Sequence, residues 1–261
     1  MIHRFSYLLA LFTVSFIAYS FSNEKEKPLQ EKNGLKLYEM KGSPEFPEAG
    51  IKLVSTPPAT PGKATFQFEV SDFKLGIQTT DAEQKLCANS SKGQHIHFIM
   101  DNQPYFASYE SSVEWDVKNG HHVLLAFLSR SYHESVKTTK AFVLKEFRVG
   151  EDAKDNFDET APHLFYSRPK GEYIGDSEVQ RLMIDFYLLN CTLSEKGYKV
   201  RATVNGTEFT LTKWAPYYIE GLPLGDVKVK LELLDKKGNL VQSPFNGAER
   251  TVSLKTEPFK K

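Results

Sequence analysis

The chain has 261 residues, 40% of them hydrophobic and 25% charged, which supplies apolar material for two ordinary domains and excludes bulk disorder. Lys and Arg number 33, equal to the 33 Asp and Glu, and no basic stripe stands out, so the electrostatic footprint of a nucleic-acid binder is missing. Aromatic residues reach 13%, and large rings suit half-buried pleated surfaces.

Residues 1–20 read as a secretory signal peptide. Arg4 precedes an apolar run from Phe5 to Ala18, and Ala18-Tyr19-Ser20 puts small residues where a signal peptidase reads. The run is short for a membrane span of about 20 residues. The expectation is an exported, periplasmic or secreted protein with no transmembrane segment in the mature chain. Residues 21–48 are polar and contain Pro, and read as a flexible tether. From Ile51 onward the pattern becomes short alternating runs. Phe66, Phe68 and Val70 alternate with Gln67 and Glu69. Arg201–Asn205 and Glu208–Leu211 flank Asn205-Gly206, a hairpin signature. Val227, Val229, Leu231 and Leu233 alternate with Lys228, Lys230 and Glu232. No apolar run keeps a helical period over three turns. The pattern predicts an all-β fold of immunoglobulin-like β-sandwich type.

The pattern also repeats. Cys87-Ala-Asn-Ser-Ser-Lys-Gly93 aligns with Cys191-Thr-Leu-Ser-Glu-Lys-Gly197, with Cys, Ser, Lys and Gly coinciding. Beyond it, Ile96, Phe98 and Met100 fall on Val200, Ala202 and Val204. One inserted residue later, Leu124, Ala126 and Leu128 fall on Val229, Leu231 and Leu233. The first copy carries extra residues around Gly76 to Leu86. The reading is two tandem sandwich domains from an internal duplication, residues 49–150 and 163–256, joined by an acidic linker at 151–162.

Each copy carries one Cys, at equivalent positions, which rules out a bridge within a domain. A pseudo-two-fold packing of the copies would bring Cys87 and Cys191 together as an interdomain disulfide in an oxidising compartment. The other reading is two separate thiols used as small core residues.

Histidine is concentrated in the first copy, in Gly93-Gln-His95-Ile-His97, in Gly120-His121-His122 and at His133. Strand alternation puts His95 and His97 on one face. Their counterparts Lys199 and Arg201 alternate with inward apolar residues, so that face points out of the sandwich. His121 aligns with Asp226, also outward, whereas His122 aligns with inward Val227. If the two strands are neighbours, His95, His97 and His121 converge, with His122 or His133 in support. Such a His-x-His pair plus a third imidazole is how a sheet holds zinc or copper. Glu114, Asp116 or His133 would be a fourth ligand or its hydrogen-bond acceptor.

The same outer face carries Ile99, Val123, Leu125 and Phe127, where the second copy has Thr203, Lys228, Lys230 and Glu232. Something covers it: the other domain, the extra segment, or a ligand. In the first case the histidines are interface residues satisfied by hydrogen bonds. Arg130 with Ser131, and Arg168 with Lys170, suit an anion. Ser131, His133 and Glu134 lie together as a hydrolase would need, without a nucleophile elbow.

Gly93-Gln-His-Ile-His-Phe-Ile-Met-Asp101, Gly120-His-His-Val-Leu-Leu125 and Tyr166-Ser-Arg-Pro-Lys-Gly171 resemble segments of uncharacterised exported bacterial β-sandwich proteins that share the label "phosphopeptide-binding". The resemblance implies an exported sandwich; it is the loops at the sandwich ends or the apolar His face that would take a small ligand or a protein partner. It implies no particular chemistry, and the lipoprotein Cys that many such proteins carry after the signal is absent here. The functional expectation is a non-catalytic exported binding protein of unknown ligand. The alternatives are a periplasmic zinc- or copper-binding protein and a hydrolase.

Overall fold

A computed structural model describes residues 26–150 and 157–257. The expected signal peptide, residues 21–25 of the expected tether and residues 151–156 of the linker lie outside the described residues. Two short strands come first, β1 (Gln30–Lys32) and β2 (Leu35–Glu39). The first sandwich follows: β3 (Gly50–Leu53), β4 (Gly62–Ser71), β5 (His95–Met100), β6 (Phe106–Ser108), β7 (Ser112–Val117), β8 (Gly120–Ser129) and β9 (Phe142–Val149). The second runs through β10 (His163–Arg168), β11 (Glu172–Ile174), β12 (Leu182–Leu189), β13 (Lys199–Val204), β14 (Thr207–Leu211), β15 (Tyr217–Glu220), β16 (Gly225–Leu234) and β17 (Ala248–Lys255). Among the described residues, no helix is long and apolar enough to cross a membrane.

Each sandwich closes its own core between two sheets. In the first, β3-β4-β7 faces β6-β5-β8-β9. Phe66, Phe68, Ile96, Phe98, Leu124, Ala126 and Leu128 fill the space between them. In the second, β1-β2-β15-β12-β10 faces β11-β17-β16-β13-β14. Leu37, Tyr166, Ile184, Phe186, Val200, Ala202 and Leu231 lie between those sheets. The pairing registers match. Ile96, Phe98 and Met100 sit opposite Leu128, Ala126 and Leu124. Val200, Ala202 and Val204 sit opposite Leu233, Leu231 and Val229. Residues that align in the sequence therefore hold equivalent places in their sheets.

The tether reading fails for residues 30–39. The turn between β1 and β2 is Asn33-Gly34, with φ of 51° and 79°. A tight two-residue turn needs positive φ at both central positions, which Asn and Gly tolerate. Asn205-Gly206 makes the same kind of turn, with φ of 46° and 81°. Strand β2 then pairs antiparallel with β15, Leu37 opposite Ile219. Leu35 and Leu37 enter the core of the second sandwich. The N-terminal hairpin thus widens a sheet of the C-terminal domain.

The sandwiches meet through apolar sheet faces. Strand β8 is buried from His122 to its end, and β12 is buried throughout. Each strand has one face in its own core. The other faces join: Ile99, Val123, Leu125 and Phe127 pack against Phe165, Tyr187 and Leu189. The Phe127 and Tyr187 rings stack with centroids 4.7 Å apart. Each such side chain withdrawn from water contributes about 1.5–3 kcal/mol. Within this junction Asp185, fully buried on β12, accepts from Lys137 Nζ at 2.6 Å, Ser135 Oγ at 3.1 Å and the Ser135 backbone N–H at 3.2 Å.

Two outcomes test this organisation. Leu37→Ala should cost about 2–5 kcal/mol in denaturant-midpoint measurements, as a core leucine does and a tether residue does not. Asp185→Ala strands the Lys137 ammonium and a buried N–H. It should cost about 3–5 kcal/mol by the same measurement, and an unchanged midpoint would show that the bridge does not hold the domains.

Candidate metal centre

Antiparallel pairing of β5 with β8 decides which histidines meet. His95 lies opposite Ser129 and His97 opposite Phe127, near the C-terminal end of β8. Their side chains leave on the face opposite Ile96 and Phe98, beneath the second sandwich, and both are fully buried. His121 is at the other end of β8, six positions from Phe127, about 20 Å along an extended strand. It cannot converge with the pair, and its Nε2 lies 2.7 Å from Glu146 Oε1 instead. His122 is also engaged elsewhere. Its Nδ1 contacts Asp101 Oδ2 at 2.7 Å and its Nε2 contacts the Lys118 carbonyl oxygen at 2.9 Å. Glu114 and Asp116 lie on β7, in the opposite sheet of the sandwich, and are exposed. They are not ligands for this face.

The third imidazole is His133. Past Ser129 the chain makes a tight turn, with Arg130 and Glu134 bonded through the backbone and Ser129 bridged to Ser135. The turn throws His133 back over the end of β5. His95 Nε2 is 2.9 Å from His97 Nε2 and 3.1 Å from His133 Nδ1. One nitrogen of each ring lies within 4.8 Å of the others. Tetrahedral zinc with bonds of 2.0–2.1 Å needs nitrogens about 3.3 Å apart, so the spacing has the scale of a metal site.

The three rings cannot satisfy one another's nitrogens; a proton from the Tyr105 hydroxyl, 3.3 Å from His133 Nδ1, is one way to complete the set and a cation is another. His95 Nδ1 donates to the Gly93 carbonyl oxygen at 2.8 Å. A carbonyl only accepts, so the neutral ring carries its lone pair on Nε2. That one lone pair is approached by two nitrogens. If His97 Nε2–H donates to it, His133 Nδ1 brings a second lone pair to 3.1 Å. If His133 donates, His97 does so at 2.9 Å. A cation among the three nitrogens would satisfy all of them. Burial holds His95 down to about 4, reinforced by the positive charges of Arg168 and Lys170. Burial likewise holds His97 and His133 well below the usual imidazole range. The rings are neutral near pH 7, the form that ligates metal.

The supports of the trio come from several elements. Gly93 is at φ +86°, and a Cβ there would stand 2.4 Å from the Ile77 carbonyl carbon, so the extra segment can close onto the start of β5 only over glycine. Thr79 of that segment accepts from the Ser131 backbone and donates its own N–H to Ser131 Oγ. Arg130 pairs with Glu134 at 3.2 Å and donates to the Pro44 carbonyl, and Ser43 donates to Glu134. Arg130 and Ser131 are therefore spent on holding the turn and do not form the expected anion site. Nor do Ser131, His133 and Glu134 form a hydrolytic relay, since each has a different partner. His133 itself sits at φ 70°, a backbone conformation that costs a non-glycine residue about 1–3 kcal/mol and is kept only where the surroundings enforce it.

Around the imidazoles lie Tyr105, Ser167, Arg168 and Lys170. The Tyr105 ring stacks on His97, centroids 3.6 Å apart and planes 8° from parallel. Its Oη is 3.3 Å from His133 Nδ1 and accepts from Arg168 Nη1 at 3.0 Å. Burial pushes Tyr105 up to about 12, against the pull of Arg168. Lys170 Nζ donates to the Tyr105 carbonyl oxygen at 2.7 Å. Ser167 Oγ lies 3.1 Å from His97 Nδ1. Tyr105 and Ser167 carried no signal in the sequence that tied them to the His pair.

Both cysteines are free thiols. Cys87 is buried beside Tyr218, whose Oη is 3.6 Å from its Sγ, while Cys191 packs against the core of the second sandwich. The expected disulfide assumed a pseudo-two-fold contact. The first sandwich instead offers its β5–β8 sheet, and the second offers the non-equivalent β10–β12 sheet. In a contact between unlike faces, equivalent residues have no shared axis.

No family model matches the chain, and no curated protein matches it. Among solved structures it is similar to the fibronectin(III)-like modules of Clostridium thermocellum CbhA, at 10% identity and TM-score 0.29, over 81% of this chain and 97% of that one. It is similar to the central fibronectin-III array of RIM-binding protein, at 11% and 0.28, over 82% and 71%. A Bacteroides ovatus glucan-locus protein, SGBP-B in complex with a mixed-linkage heptasaccharide, aligns at 9% and 0.23, over 87% and 72%. TM-scores this low carry no inference about ligand, and the sandwich architecture rests on the strand pairing.

Denatured protein treated with an alkylating agent without reductant should gain two adducts by mass. A protein that gains none until reduced would restore the bridge.

Proposed function

We propose that the protein is an exported, non-catalytic binding protein whose ligand is a transition-metal ion, zinc or copper, held by His95, His97 and His133. The observation that carries this reading is the collision of nitrogens: three buried neutral imidazoles face one another, and the carbonyl of Gly93 fixes the His95 lone pair toward the other two. Nitrogen donors without thiolate suit zinc and copper(II) over softer ions. The contacts of His95 with Gly93 and of His97 with Ser167 would orient the rings, as hydrogen bonds behind metal ligands commonly do. Binding of an organic ligand to the apolar face of β5 and β8 loses ground, because the second sandwich covers that face.

Untagged protein should take up one equivalent of zinc or copper(II) in a titration followed by elemental analysis. At a free-metal concentration a hundred times Kd the folded state gains about 2.7 kcal/mol, visible as a raised Tm. The His95→Ala, His97→Ala double variant should lose both the metal and the shift, and His121→Ala should keep them. Wild-type protein with neither bound metal nor shift would end the reading.

A further inference from the structure

The imidazole trio leaves two features of its surroundings without an account. The first is Arg168. It is buried at 5% exposure, its Nε has no hydrogen-bond partner, and among the described residues no carboxylate pairs with it. The ionisable groups that act on it, the phenols of Tyr105 and Tyr173 and the thiol of Cys87, are each held protonated by burial. A buried guanidinium without a counter-charge is costly, and a metal cation bound nearby would add to the same uncompensated charge. The second is the hydroxyl of Tyr105. Its oxygen already accepts from Arg168, so its own proton points to the acceptor at hand, His133 Nδ1, 3.3 Å away. A metal on His133 takes the lone pair that this proton uses.

One arrangement accounts for both features. Resting on the metal reading above, we propose that Tyr105 is the fourth ligand, bound through its phenolate oxygen, and that Arg168 is the positioning residue that holds this oxygen and balances its charge. The Oη-to-Nδ1 separation of 3.3 Å already equals the edge of a tetrahedral site. When the metal binds, the Oη–H bond breaks, a metal–oxygen bond forms and the proton leaves to solvent. The oxidation state of the metal does not change. The phenolate then gives the Arg168 guanidinium its missing partner. The Tyr105 ring lies parallel to His97 with centroids 3.6 Å apart, so its oxygen reaches an ion in the His97 plane by tilting out of that stack. The site so formed is a three-nitrogen, one-oxygen centre, which excludes soft monovalent ions in favour of copper(II), zinc and iron(III).

Copper(II) is the probe, because a phenolate bound to it adds an intense charge-transfer band in the visible, where a three-imidazole site has only weak d–d absorption. Full-length protein loaded with one equivalent of copper(II) should show that charge-transfer band. Excitation within it should enhance tyrosine ring modes in the Raman spectrum, a readout that needs no substitution. Tyr105→Phe should keep the copper and lose the band. Tyr109→Phe, which changes the phenol beside His95, should keep both. Copper bound to the wild type without the band, or a band that survives Tyr105→Phe, overturns the tyrosine ligand while leaving the three histidines standing. Wild-type protein that binds no copper and no zinc overturns the metal reading and this inference with it.

Discussion

An apolar sheet face of one sandwich lies pressed on an apolar sheet face of the other, and the chemistry of the centre depends on that contact. Strands β8 and β12 are covered on both sides, so side chains that would be wet on an isolated immunoglobulin-like domain lie in a dry layer. Phe127, Tyr187 and Leu125 supply the attraction. His95 and His97 share that layer and are thereby deprived of water. Desolvation makes their charged form unfavourable and leaves lone pairs that only a proton donor or a metal can use. The same dry layer holds Asp185 with Lys137, which joins the domains by a directional contact where the apolar surfaces alone would tolerate sliding.

The turn bearing His133 is held from three directions. The extra segment reaches it through Thr79, the stretch after the N-terminal hairpin through Ser43 and Pro44, and the second sandwich through Asp185. A left-handed backbone at a histidine needs such enforcement. The turn is where three parts of the fold that are remote in sequence meet, and it carries the one imidazole of the trio that is not on a strand. Preorganisation of that kind is expected where a side chain has to hold a fixed distance to partners on another element.

Alternation was enough to separate the inward Ile96, Phe98 and Met100 from the outward His95 and His97, because a strand's period leaves no other choice. It was not enough to select the third histidine. The sequence shows that His121 is on the outer side of its strand, but only the pairing of Ser129 with His95 shows that it lies at the far end. His133 depends on a turn whose shape is set by Thr79 and Asp185, fifty residues away on either side. The disulfide expectation failed on an assumption of symmetry that matching strand registers do not guarantee. The tether expectation rests on the polar, Pro-containing composition of residues 21–48 as a whole, which hides the strands within 30–39. The Asn33-Gly34 pair, the same signal read correctly at Asn205-Gly206, was there to be seen. Arg130 and Arg168 look alike in the sequence, each beside a serine. One pairs with Glu134, while among the described residues no carboxylate pairs with the other, a difference that belongs to the fold.

The hairpin also sets an order of events. Gln30 bonds to a residue 180 positions further along the chain. A ribosome releases the early segment long before its partner strand exists. Leu35 and Leu37 must therefore wait, exposed, while the first sandwich has all its own strands to hand. Contacts that close such long loops form late and slowly. The C-terminal domain is completed by the oldest part of the polypeptide, and the seam between the sandwiches is sealed only when synthesis is nearly over.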